Sequence, residues 1–138
     1  MREGWYKDDY LIVFNEAESL QASSRYGVED AIPGFRVVGL RGWDDFIVRE
    51  ESGELFTVPT VPCDAKYLAP YLGRFDDVEL QADPRYAGRL KWYVKPVVFG
   101  GDPNIGPNLT WITQDEHVEL VRWWNEMYRS VSSSRSSG

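Results

Sequence analysis

The sequence predicts a single α+β domain: a mostly antiparallel β-sheet covered by helices, with an amphipathic helix at the C-terminal end. Three observations predict it. A short run rich in β-branched and aromatic residues, Asp9-Tyr10-Leu11-Ile12-Val13-Phe14, has the composition of a strand buried on both faces. Three further strand-like segments, divided by glycine-containing turns, lie between Phe35 and Val58. Near the C-terminal end, Leu120, Val121, Trp124, Met127, Tyr128 and Val131 recur at three- and four-residue spacing on one helical face.

The elements follow in order. After the first strand, Asn15 and Glu18 form a capping-box pattern, so a helix starts there and runs through Ala17–Ala22. It ends near Tyr26-Gly27, where glycine supplies the left-handed terminal conformation. Ala31-Ile32-Pro33-Gly34 is a turn. A β-meander follows: Phe35 to Leu40, a turn at Arg41-Gly42, Trp43 to Arg49, a turn at Glu51-Ser52-Gly53, and Leu55 to Val58. Pro59 and Pro62 stop the pairing, because proline cannot donate to a ladder. A short helix is expected over Ala65–Leu72, irregular chain around Asp83-Pro84, a strand over Lys91–Phe99 interrupted at Pro96, and a dense turn cluster over Gly100–Asn108. Thr113 and Glu116 then cap the last helix. Residues 1–129 form the domain and the Ser-rich stretch 130–138 a flexible tail.

The composition excludes several classes. One Cys, Cys63, rules out an intramolecular disulfide, and one His, His117, leaves no His/Cys cage for structural zinc. No apolar run reaches the roughly 20 residues that span a bilayer, and Met1-Arg2-Glu3-Gly4-Trp5 lacks the form of a signal peptide. The expected setting is the cytoplasm, away from membranes. With 15 Lys+Arg against 22 Asp+Glu the net charge is −7, which disfavours nucleic acid and favours a basic partner.

Chemistry finds little support. Cys63 and His117 are far apart in sequence, and an isolated Cys usually behaves as a small hydrophobe. The carboxylate pairs Asp8-Asp9, Asp44-Asp45, Glu50-Glu51 and Asp76-Asp77 are each adjacent in sequence, and neighbours on a strand point to opposite faces, so none by itself makes a two-carboxylate site. Gly100-Gly101-Asp102-Pro103 lacks the Gly-Lys-Ser/Thr of a phosphate loop. No catalytic residue, metal ligand or cofactor is therefore assigned, and the chain reads as a binding protein, not an enzyme. Trp123 and Trp124 diverge by about 100° on a helix, so Trp124 joins the buried stripe and Trp123, with Trp5 or Trp43, is the candidate exposed ring. Charge and position select Trp43 as anchor, with Asp44, Asp45, Glu50, Glu51 and Glu54 as the charged part of a partner-binding patch on the second and third meander strands and their turns.

Several segments in order carry a family likeness: Glu3-Gly4-Trp5 through Tyr10–Asn15, Tyr26-Gly27-Val28-Glu29-Asp30-Ala31-Ile32-Pro33-Gly34-Phe35, Val38-Gly39-Leu40-Arg41-Gly42, Phe46-Ile47-Val48 and Phe56-Thr57-Val58-Pro59. Over roughly residues 3–60 the chain resembles the SUKH superfamily, which includes Syd, the yeast cell-wall-assembly regulator and many bacterial toxin-immunity proteins. The family's opening helical segment, with its L-P-x-x-Y-x-x-F-L motif, has no counterpart before Trp5. The resemblance implies a SUKH-like α+β fold and a bacterial immunity protein that binds and neutralises a cognate toxin; the acidic balance adds the expectation that this toxin domain is basic, and the chain is expected to act as a monomer or weak dimer. A regulatory or scaffolding module of the same superfamily is the alternative, and a small hydrolase using a carboxylate pair is a third.

Overall fold

The computed structural model of the chain describes residues 2–6, 9–42, 45–72, 75, 79–85, 90–93 and 109–136. Its centre is a six-stranded sheet whose spatial order follows the chain: β1 (Arg2–Tyr6), β2 (Asp9–Val13), β3 (Phe35–Arg41), β4 (Asp45–Glu50), β5 (Leu55–Pro59) and β6 (Ala69–Pro70). Every neighbouring pair is antiparallel. Two helices, α1 (Glu16–Tyr26) and α2 (Val28–Ala31), are inserted between β2 and β3. A second sheet pairs β7 (Leu90–Tyr93) with β8 (Leu109–Ile112), and α3 (Gln114–Ser136) follows it. The fold is α+β, as the sequence predicts. Among the described residues no helix is long and apolar enough to cross a membrane.

Both capping boxes form. The Asn15 N–H donates to Glu18 Oε1 at 2.9 Å while the Glu18 N–H donates to Asn15 Oδ1 at 2.8 Å. Thr113 and Glu116 repeat the exchange at 3.1 and 3.3 Å. Gly27 closes α1 with a φ of 70°, in the left-handed region that a Cβ disfavours.

Alternation along the strands divides the sheet into two apolar faces. One carries Tyr10, Ile12, Val37, Leu40, Phe46, Val48 and Val58, and packs against Ala22 and Tyr26 of α1 and Val118 and Val121 of α3. The other carries Leu11, Val13, Val38 and Ile47, covered by Phe75 with Tyr71 and Leu80. A bulge at Val38 shifts the β3–β4 register, so that Val37 faces Val48 and Gly39 faces Ile47.

Beyond Val13 the chain leaves the sheet to form α1, and α1 takes the place of a strand beside Val37. The Val37 N–H donates to Ser23 Oγ at 2.9 Å, the Ser19 hydroxyl donates to the Val37 carbonyl, and the Ser23 hydroxyl donates to the Ser19 carbonyl at 2.8 Å. Two buried serines four apart on a helix thus satisfy peptide groups that the ladder leaves open.

Several expectations are corrected. Arg2–Tyr6, where the sequence predicts no element, is an edge strand held in register by β2. The expected helix over 65–72 is a single 3-10 turn, Ala65–Tyr67, capped by Asp64; the chain then straightens so that Ala69-Pro70 pairs with β5. Pro70 sits on an edge strand, where a missing N–H costs least. Of the strand over 91–99, Leu90–Tyr93 is formed, and the remainder, with the turn cluster 100–108, lies outside the described residues. α3 continues to Ser136, through most of the stretch expected as a flexible tail; once a helix is nucleated, each further residue adds a hydrogen bond. Its buried face is also rotated from the predicted stripe: His117, Val118, Val121 and Asn125 are buried, whereas Met127 and Val131 are exposed.

Candidate functional site

The lone His and Cys come first, because any nucleophilic chemistry would need them. His117, in the first turns of α3, is fully buried and shares a 2.7 Å hydrogen bond between its Nδ1 and the Tyr26 hydroxyl of α1. Burial lowers its pKa to about 3, so it is held neutral. Burial likewise pushes the Cys63 thiol up to about 12, far from the range of a reactive thiolate. The Cys63 backbone is fixed by Asn125 of α3, whose Oδ1 accepts from the Cys63 N–H at 2.9 Å and whose Nδ2 donates to the Thr60 carbonyl at 2.8 Å. These two residues work as packing and tethering groups. No cluster of three or more His, Cys, Asp or Glu placed to hold a metal occurs among the described residues.

The predicted partner patch divides. Trp43 and Asp44 lie outside the described residues. Asp45 opens β4 and pairs with Arg41 across the ladder at 3.1 Å. Glu50 closes β4, and Glu51 and Glu54 belong to the turn that leads into β5. Five residue steps along a strand span about 17 Å, so Asp45 stands at one end of the sheet and the three glutamates at the other.

The glutamate end has concave relief. A groove of about 430 Å³ is lined by Glu50, Glu51 and Gly53 of the β4–β5 turn, Phe35 and Arg36 of β3, Arg49 of β4, Gly34, Glu29 of α2 and Leu20 of α1. Glu50 is the register partner of Phe35, and Phe35 stacks edge-to-face on Phe56 with centroids 5.6 Å apart. Leu20 keeps 55% of its surface in solvent, which places an aliphatic side chain beside three carboxylates drawn from two elements. Sequence reasoning missed Leu20 and Glu29: α1 reads locally as an ordinary amphipathic helix, and only the tertiary path brings its outer side to the β4–β5 turn.

A second exposed apolar feature lies on α3. Trp123 is 51% exposed, as its divergence from Trp124 predicts, and meets the Trp124 ring edge-to-face at 4.7 Å. Trp5 is instead pinned to the sheet edge: its Nε1 donates to Asp83 at 3.1 Å, and its backbone exchanges hydrogen bonds with Gln81.

Comparisons of the chain with protein-family models, with characterised proteins and with solved structures found no match.

Proposed function

We propose that the chain is a non-catalytic binding protein whose acidic groove receives a basic protein partner and that, on the SUKH resemblance, this partner is a toxin domain neutralised in the cytoplasm. The observation that carries the reading is the convergence of Leu20 and Phe35 with Glu29, Glu50 and Glu51 on one groove, where the three carboxylates outnumber the guanidinium groups of Arg36 and Arg49. An apolar floor supplies burial and slows dissociation, while a carboxylate rim steers a positively charged surface and speeds association. The same carboxylates suit hydrolysis poorly: Glu29 and Glu51 are exposed, whereas a general acid at neutral pH needs a carboxyl withdrawn from water.

The test is coexpression with the toxin encoded beside the gene, followed by binding kinetics on the purified pair. Rescue of growth and a stable complex are expected. Glu50→Lys with Glu51→Lys should slow association about tenfold or more at low salt, and Leu20→Asp should speed dissociation. Absence of both rescue and complex, or rates indifferent to all three changes, would overturn the proposal.

A further inference from the structure

Arg36 of β3 and Arg49 of β4 are register partners, so their side chains leave the ladder side by side. By alternation from Ile47 they emerge on the face that carries Val13, Val38 and Phe75. Arg2 of the edge strand joins them in lining a cleft of about 590 Å³, whose apolar lining is Val13, Phe14, Val38 and Phe75. The start of α1 completes the wall with Asn15, Glu16, Glu18 and Ser19. Three guanidinium groups from three strands therefore share one concavity in a chain of net charge −7.

We propose that this cleft binds a small organic acid, its carboxylate gripped between Arg36 and Arg49 and its apolar body laid against Val13, Phe14, Val38 and Phe75. Like charges directly opposite one another on a ladder repel, and an anion seated between them is attracted by both. The planar guanidinium fork matches a carboxylate's two oxygens, which a point-like ammonium does not. The volume falls in the range of about 300–1,000 Å³ typical of small-molecule sites. Charge and lining then narrow the class. Glu16 and Glu18 oppose the three arginines, and Glu18 is already committed to the Asn15 N–H. Phe14 and Phe75 favour an apolar body over a bare inorganic anion. Arg36 and Arg49 also line the neighbouring groove, but the cleft is built as well from Arg2, Val13, Phe14, Val38 and Phe75, which that groove does not contain, so it stands without the basic-partner reading.

Calorimetric titration of the full chain with 4-phenylbutyrate, acetate and inorganic phosphate, at matched ionic strength, tests this. Saturable binding of 4-phenylbutyrate is expected, at least tenfold tighter than acetate or phosphate. Arg36→Gln should weaken it about tenfold or more, the usual scale for losing a charge-assisted hydrogen bond. Arg36→Lys, which keeps the charge and the stem but not the fork, should fall between, and it secures the test if the Gln variant does not fold. Glu126→Gln, exposed on α3 and lining neither concavity, should leave the affinity unchanged. No saturable binding, phosphate or acetate binding as tightly as 4-phenylbutyrate, or an unchanged affinity in either arginine variant would overturn the proposal.

Discussion

Tyr26 on α1 and His117 on α3 meet in the core through a 2.7 Å hydrogen bond, with their rings packed edge-to-face at 5.5 Å. This contact gives stability a specific pH dependence. The folded His117 has its pKa lowered by burial to about 3 from an ordinary 6.5. Between those values the unfolded chain binds a proton that the folded chain does not, so stability falls as pH drops below about 6.5. Going from pH 6.5 to pH 5 should cost about 2 kcal/mol. Glu18, whose pKa is lowered by the Asn15 N–H from 4.5, adds its own loss only below that window. Urea melts at pH 7 and pH 5 should show the drop in the natural chain and a much smaller one in His117→Gln. Equal drops would count against the assignment.

Asn125 bridges α3 to the segment between β5 and the 3-10 turn through both ends of its amide. Asn125→Ala should cost about 2–4 kcal/mol, because the Cys63 N–H and Thr60 carbonyl lose their partner. Asn125→Asp fills both roles only while protonated. Burial raises such a carboxyl's pKa, so this variant should lose stability as pH rises through the raised value, opposite in direction to His117. Chemical denaturation across pH 4 to 8 reads both effects.

The serine pair on α1 should be sensitive to single-atom changes. Ser23→Ala orphans the Val37 N–H and Ser19→Ala the Val37 carbonyl, each at about 1–3 kcal/mol. Because both hydroxyls serve the peptide groups of one strand residue, and the Ser23 hydroxyl also binds the Ser19 carbonyl, the double variant should cost less than the sum of the singles. A fully additive double-mutant cycle would show that they act separately.

Gly39 has no room for a methyl group. A Cβ there would lie 2.3 Å from the Ile12 carbonyl oxygen and 3.2 Å from the Phe75 ring. Gly39→Ala should therefore force β2 from β3 and destabilise by about 3 kcal/mol or more. Gly34→Ala offers a contrast, since its φ of 90° carries strain but nothing lies within 4 Å; about 1 kcal/mol is expected. Thermal melts of the two variants give the comparison, and equal shifts would refute the steric account.

These cases show where a sequence is informative. A capping box is complete within four residues, so Asn15/Glu18 and Thr113/Glu116 can be read without a fold. The roles of Ser19, Ser23 and Asn125 depend on partners 14 to 65 residues away, and polar residues in a helix carry no local mark of burial. The same limit governs the predicted patch. Charge runs place Glu50, Glu51 and Glu54 on a turn, but only the sheet's path separates them from Asp45 and delivers Leu20 and Glu29 instead.

The two outer strands of the main sheet bear on how the molecule meets others. The outer side of β1 is engaged at Trp5 by Gln81, and β6 is two residues long and ends in a proline that cannot donate. Among the described residues, the outer edges of the main sheet therefore offer only short, interrupted runs of open backbone, which disfavours edge-to-edge aggregation there. At these two edges recognition by strand addition is disfavoured for the same reason, and a partner that approaches there is chosen through side chains, where single substitutions can redirect specificity without disturbing the scaffold.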